Sequence, residues 1–402
     1  MTTTESNVAR THYALNSLAA SVAELQSSVD SHITSDRVLR YLSAFANTPA
    51  PSTAASAMRG PVLRDLLQTD GVRFGARIAL DSNFGNTGST VITTGSGDDA
   101  RRLWYFAHLD TISYLVQPRE RDRYPLVPFC YHLTQDGIRS ARAYRYELAS
   151  RIYAVCAEGE LISEAGFPYF RSRDDKTPLR PGDRVVPVAK CRSTADGHFI
   201  GHIDNAGGVA ALAVAAAVLA EAGVEAMLAF PDEEEGPMGS GSQMMGRGGS
   251  RIVGPLPPPD LAIIADVQQA GGAPHAAVHK GQLNNTRLAQ GAVLSEFSSL
   301  ARGAVTPPHL YALARFWSDR LVEVGVKVQE SNNAYTSRSD DVSVLLKTPN
   351  ILLLGFPGFN RHFDNAEPSA NLFDIVDLAK ALVYASTIRP ALGELLRAEN
   401  FA

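Results

Sequence analysis

A chain of 402 residues with 37 Lys+Arg against 42 Asp+Glu, a formal net charge of −5 and 45% hydrophobic residues has the balance of a globular protein. That composition excludes a disordered or fibrous chain, and a mildly acidic sequence without a Lys/Arg block argues against nucleic-acid binding. The length exceeds what one small core needs, so two domains, or one domain with a large insertion, are expected.

The N-terminal Met1-Thr-Thr-Thr-Glu-Ser-Asn segment is polar and lacks the apolar centre of a secretory signal. The residues after it, Ser6 to Val29, predict a helix, with Leu15, Leu18, Val22 and Leu25 on one face. A second helix is predicted over Ser35–Asn47 and ends at Pro49-Ala-Pro51. A helix over Met58–Gln68 and a strand over Val72–Leu80 follow. Leu103-Trp-Tyr-Phe-Ala107 is a continuous apolar run, as a central strand covered on both faces requires.

Helical periodicity fades from Leu115 to Gly201. Beta-type fragments at Tyr144–Leu148, Arg151–Val155 and Arg184–Val188 alternate with Gly and Pro turns such as Pro181-Gly-Asp183. This stretch predicts an inserted small β-domain. Helix and strand then alternate: helix Gly208–Ala222, strand Glu225–Phe230, strand Leu261–Ala265, helix His309–Val324, strand Ile351–Leu354 and helix Leu372–Thr387. The apolar run Val209–Ala220 is too short to span a bilayer, which takes about 20 residues, and reads as a buried helix. The fold class is therefore α/β, a layered and mostly parallel sheet with helices on both faces. Residues 1–114 and 202–402 form the catalytic-type domain, split by a β-rich insert at 115–201. Cys130, Cys156 and Cys191 show no metal-type spacing and are read as reduced cysteines of a cytoplasmic protein; no membrane partner is expected.

Functional sites in α/β sheets gather beyond the carboxyl ends of strands. Here those ends carry His108-Leu-Asp110, Asp204-Asn205, Asp232-Glu-Glu-Glu235-Gly236, Asp266 and His362. Singly these are ordinary: a carboxamide cap for a helix, a solvated acidic loop, a lone histidine. Together they supply two histidines and the carboxylates that a two-metal hydrolase needs.

The order of these motifs resembles that of the co-catalytic metallopeptidases of the glutamyl-aminopeptidase (TET, deblocking aminopeptidase) type, in the zinc exopeptidase clan. The resemblance begins at Asp81-Ser-Asn-Phe-Gly85-Asn86 and runs through His108-Leu-Asp110, Asp204-Asn205, Glu233-Glu234-x-Gly236, Asp266-Val267 and His362. The insert lies between Asp110 and Asp204, the position found in this branch rather than in the carboxypeptidase branch. The resemblance implies that the insert helps to build a homo-oligomer. It also implies one or two divalent ions (Zn, Mn or Co), bound by His108, Asp204, Glu234, Asp266 and His362. Asp204 bridges, Asp266 joins His108, and Glu234 joins His362. Asp110 orients His108, and Glu233 is the general base that takes a proton from water and returns it to the leaving amine. The run Asp232–Glu235 leaves this register open by one residue, with Gly236 as its anchor.

The sequence departs from the family at Thr111, Ala206 and Phe359-Asn-Arg-His362-Phe363, where an acidic residue, Arg and Arg-Tyr-x-His-Ser are usual. The implied activity is hydrolysis of a C–N bond in a small molecule or short peptide bearing an amine. A non-peptidase relative, 5-nitroanthranilate aminohydrolase, is the suspected specific case, with Arg361, Arg338 and Lys280 as candidate cations for a substrate carboxylate. The alternatives are an aminopeptidase acting on short peptides and a catalytically inactive metal-binding scaffold, against which the intact Glu233 argues.

Overall fold

The computed structural model describes residues 3–95, 102–130, 135–174, 177–236, 246–272, 284–331 and 339–398. Its strands are β1 (Ile78–Asp81), β2 (Thr90–Thr94), β3 (Leu103–Phe106), β4 (Ser113–Val116), β5 (Tyr124–Phe129), β6 (Gly137–Glu147), β7 (Ile152–Glu164), β8 (Phe167–Ser172), β9 (Arg184–Pro187), β10 (Arg192–Ser193), β11 (His198–Ile200), β12 (Ala226–Phe230), β13 (Leu261–Gln269), β14 (Ala292–Ser295), β15 (Val328–Ser331), β16 (Ile351–Phe359) and β17 (Ser369–Asn371). Among the described residues an 11-stranded sheet follows the order β1-β2-β12-β3-β13-β16-β17-β11-β10, with β14 and β15 branching from β16. Its centre, β12-β3-β13-β16, is parallel, and antiparallel pairs extend both flanks.

The central strands are apolar throughout because both faces are covered. Leu103 and Tyr105 of β3 turn to the larger core with Leu228, Phe230 and Ile263, whereas Trp104 and Phe106 turn to the other face with Met227, Ala262 and Ile264. On the first face the helix Ala206–Glu221 lies against the helices Ser35–Asn47 and Leu372–Tyr384. That helix is apolar on every side and almost wholly buried. Its first turn needs glycine: a Cβ on Gly208 would lie 2.3 Å from Asn205 Oδ1 and 2.9 Å from the Ala265 carbonyl. The other face is covered in part by the short helices Arg247–Val253 and Asp341–Val344.

β4-β5-β8-β7-β6-β9 close into a small barrel around Tyr114, Leu126, Leu161, Phe170 and Val185. The barrel runs from Ser113 to Pro187. β10 and β11, which fall within the stretch read as insert, pair instead with the edge of the large sheet, where His198 faces Asn371. The strand expected over Val72–Leu80 is confined to Ile78–Asp81, because the Gly75 N–H bonds back to the Ile78 carbonyl and turns the chain before it. β13 and β16 run past their expected ends, continuing in parallel register as far as Gln269 and Gly358. Cys130, Cys156 and Cys191 carry free thiols. No helix among the described residues is long and apolar enough to cross a membrane.

Candidate metal centre

His108 follows β3, where Ala107 N–H and Leu109 N–H continue the ladder to the carbonyls of Ala229 and Pro231. Its Nδ1 lies 3.1 Å from the Asp110 carbonyl and 3.4 Å from the Asp110 carboxylate. Asp110 is fully buried. Its Oδ2 accepts the Ser52 hydroxyl at 2.6 Å, and its Oδ1 accepts the Glu234 N–H at 3.0 Å. One carboxylate thus faces the His108 ring and secures the acidic loop opposite it. Beneath them the buried Arg59 donates to the carbonyls of Leu109 (2.6 Å) and Thr48 (3.1 Å). Burial pulls its guanidinium down to about 10, against the opposing pull of Asp110 and Asp204.

Asp204 sits just before the helix Ala206–Glu221 and is joined to Asn205 by a cis peptide. Asn205 caps the helix by accepting the Gly208 N–H at 3.0 Å and donates to the Ala265 carbonyl at 2.8 Å, tying the helix start to β13. The Asp204 carboxylate spans the two histidines: Oδ1 is 3.2 Å from His108 Nε2, and Oδ2 is 3.1 Å from His362 Nε2. Asp266 Oδ1 lies 3.7 Å from His108 Nε2. The loop after β12 supplies Glu234, whose Oε2 is 3.6 Å from His108 Nε2, and Glu235, whose Oε2 is 3.1 Å from His362 Nε2. The Cys130 thiol, at the end of β5, lies 3.9 Å from His362 Nδ1.

Charge is concentrated here without solvent. Burial works against a charged His108, but Glu234 and the adjoining Asp110, Asp204 and Asp266 carboxylates overcome it and hold the imidazole well above its usual range. Burial likewise resists ionisation of Asp204, yet His108, His362 and Arg361 hold its carboxyl well below the ordinary value. Glu234 is pushed well up by burial, with Asp266, Glu235 and Asp340 adding to the effect of burial and His108 opposing it. Glu235 is also raised by burial, with His362 opposing. Asp204 Oδ1, Glu234 Oε1 and Glu235 Oε1 are buried and accept no hydrogen bond among the described residues. Buried oxygen atoms left so, facing imidazole nitrogens, fit a cation, since an unsatisfied buried carboxylate is otherwise costly. Two groups have donor atoms close enough to share an ion: His108, Asp204 and Asp266, and Cys130, Glu235 and His362. Imidazole and carboxylate donors suit zinc, manganese or cobalt.

His108, Asp204, Glu234, Asp266 and His362 therefore converge, with Asp110 behind His108. Glu233, expected as the base, does not join them in this geometry. Its backbone has φ +59° and turns its side chain away, so that the carboxylate pairs with Arg251 Nη2 at 2.6 Å and Arg247 Nη1 at 3.7 Å. Glu234 is accordingly on the His108 side, and Glu235 takes the place beside His362. The run has an inward-facing Asp232 as well, which accepts the N–H groups of Thr53 (2.9 Å) and Ala55 (3.0 Å). Arg361 approaches the centre, with Nη1 3.6 Å from Asp204 Oδ2 and a side chain only 10% exposed. Arg338 and Lys280 lie outside the described residues. Glu235 had a signal in the sequence, the four-residue acidic run; Cys130 and Arg59 had none, because their contacts join distant segments.

A sheet whose parallel centre delivers histidines and carboxylates to one carboxyl edge, with a barrel inserted after the first histidine, defines a metal-dependent hydrolase acting on C–N bonds. The chain belongs to the peptidase family M20/M25/M40, whose model matches residues 183–387. Its fold is similar to that of an aminopeptidase from the archaeon Desulfurococcus kamchatkensis (15% identity, TM-score 0.68, covering 92% of this chain and 99% of that one). It is also similar to a TET aminopeptidase from a marine-sediment thaumarchaeon (14%, 0.67, 89% and 99%). A third similar structure is the TET1 peptidase of Pyrococcus horikoshii (16%, 0.63, 87% and 99%), described as assembling into a tetrahedron or a large octahedral shell. No curated protein matches the sequence.

Proposed function

We propose that the chain is an aminopeptidase-like hydrolase that releases the amine from a small acid or short peptide, using two ion sites that share Asp204. His108 and Asp266 complete one site, and His362 and Glu235 the other. The observation that carries this reading is the Asp204 carboxylate lying between the two histidine Nε2 atoms, with an acidic partner beyond each. Bound divalent ions would supply a water acidified toward neutral pH and positive charge for the developing oxyanion. Glu234 is the general base in place of Glu233: it is buried, its Oε1 is unsatisfied, and its raised proton affinity suits accepting a proton from water and passing it to the leaving nitrogen. Asp110 fixes the orientation of His108.

Arg361 narrows the substrate. A guanidinium held in the cleft beside the bridging carboxylate favours an anionic group close to the scissile bond. That same cation supports a second reading, attack of water on an aryl carbon bearing the amine, as on 5-nitroanthranilate. A panel of aminoacyl anilides and nitro-substituted anthranilates, with and without added Zn, Mn or Co, tests both. Metal-dependent release of amine from the anilides is expected. Turnover of the anthranilates alone selects the aryl reading, and turnover of neither favours the inactive metal-binding scaffold.

A homo-oligomer belongs to the same proposal. The barrel leaves Phe167 76% and Ile138 64% exposed at one end of β6 and Leu148 81% exposed at the other, apolar points suited to contact with a second copy. Light scattering of the full chain tests it, with a monomer as the refuting result.

A further inference from the structure

Among its contacts with the catalytic layer, the barrel meets the loop that presents His362. Two residues of that loop without glycine's freedom, Asn360 (φ +53°) and Phe363 (φ +58°), hold left-handed backbone conformations. Such conformations are strained and persist only where the surroundings over-determine them. Inside the loop the Phe363 N–H bonds to the Asn360 carbonyl at 2.7 Å. The external restraint comes from β6 of the barrel: Arg139 donates from Nε to the Phe363 carbonyl at 2.7 Å and from Nη2 to the Asp364 carbonyl at 2.8 Å. These are charge-assisted bonds in the fork geometry that only arginine offers. The Phe363 ring is buried with Ile112, Cys130 and Ala189, a small apolar plug between barrel and sheet, and meets the His202 ring at 4.9 Å.

We propose that Arg139 is a positioning residue for the His362 ion site, so that the barrel completes the metal centre in addition to any part in assembly. This rests on the metal reading above. Arg139 touches no substrate; it acts through the Phe363 and Asp364 carbonyls, which fix where the His362 ring stands relative to Asp204 and Glu235.

The test is calorimetric titration of the metal-stripped full chain with zinc, in wild type, Arg139→Ala and Arg139→Lys, together with hydrogen exchange of the metal-free proteins. Wild type should bind two ions. Arg139→Ala should keep the ion held by His108, Asp204 and Asp266 and bind the second about 10–100-fold more weakly, the usual effect of losing a residue that orients a ligand. Arg139→Lys retains charge and bulk but not the fork, and should show the same selective loss to a smaller degree. Amides of 360–365 should exchange faster in both variants, with the barrel amides unchanged. A merely structural role would weaken both ions together or lower the melting temperature without separating them. If Arg139→Ala does not fold, Arg139→Lys decides alone. Two ions bound by a folded variant with wild-type affinities overturn this proposal and leave the metal reading standing. A wild type that binds no ion overturns both.

Discussion

Exchanging Glu234 for glutamine separates the two ways of placing the base within the acidic run. The substitution keeps the shape of a buried side chain and removes its ability to take a proton. Loss of a general base costs about 10²–10⁴ in rate, or about 3–5.5 kcal/mol of transition-state stabilisation. Glu233→Gln disturbs something different. It removes one partner from an ion pair with Arg251 and Arg247, whose side chains are 41% and 31% exposed. A pair of this kind is worth about 0.2–1 kcal/mol, so turnover should stay within a few-fold of wild type. Glu235→Gln should lose the His362-side ion along with rate, because a charged donor is gone. All three are assayed for amine release from an aminoacyl anilide and for bound metal by elemental analysis. Glu233→Gln falling at least a hundredfold while Glu234→Gln turns over normally would refute the register drawn from the geometry.

Arg59→Met should destabilise the fold by about 3–5 kcal/mol, because Asp110 and Asp204 lose a buried counter-charge and two carbonyls lose their donor; a denaturant midpoint unchanged from wild type would contradict this. Asn205→Ala removes a helix cap and the donor to the Ala265 carbonyl, and should cost about 2–4 kcal/mol in the same measurement. Chelation should abolish turnover and lower the melting temperature, since an ion held only by the folded chain stabilises it; zinc, manganese or cobalt should restore both, and a chelated protein that melts and turns over as before would rule out a bound ion.

Much of the architecture was legible because central parallel strands must be apolar on both faces: Leu103–Phe106, Ala226–Phe230 and Ile351–Leu354 announce themselves as unbroken runs, each followed by an acidic residue or histidine. β13 was read short because Asp266, Gln268 and Gln269 look like a strand end; they stay in the ladder since Gln268 finds a buried partner in Ser295 at 2.8 Å. The barrel was visible as lost helical periodicity, but its last boundary was not, because short strands such as Arg192–Ser193 carry no pattern that says which sheet they join. Within the site, residue types and order pointed to His108, Asp204, Asp266 and His362, which the structure brings together. The register within the acidic run stayed open because it turns on backbone handedness: a positive φ at a glutamate has no signature in the sequence, yet it decides which carboxylates of the run face inward. Arg139 and Cys130 were silent because each meets His362 or its loop across more than two hundred residues of chain.

The barrel leaves and rejoins the α/β layer through adjacent strands, with Tyr114 of β4 opposite Val185 of β9. To the rest of the molecule the insertion is therefore equivalent to a short hairpin, whatever its length, since extending a loop whose ends already meet adds only a slowly growing entropic cost. This makes the barrel a module. Residues on its outer surface such as Val127 and Val155, outside the proposed contact with a second copy, are free to drift or to be replaced by grafted sequence while His108 and Asp204 keep their separation. Exchange of barrels between relatives would then have to preserve the β4–β9 seam, the Pro187 carbonyl that meets His202 and the Arg139 contact, and a transplanted barrel lacking only the arginine should fold on this scaffold and weaken the His362 side.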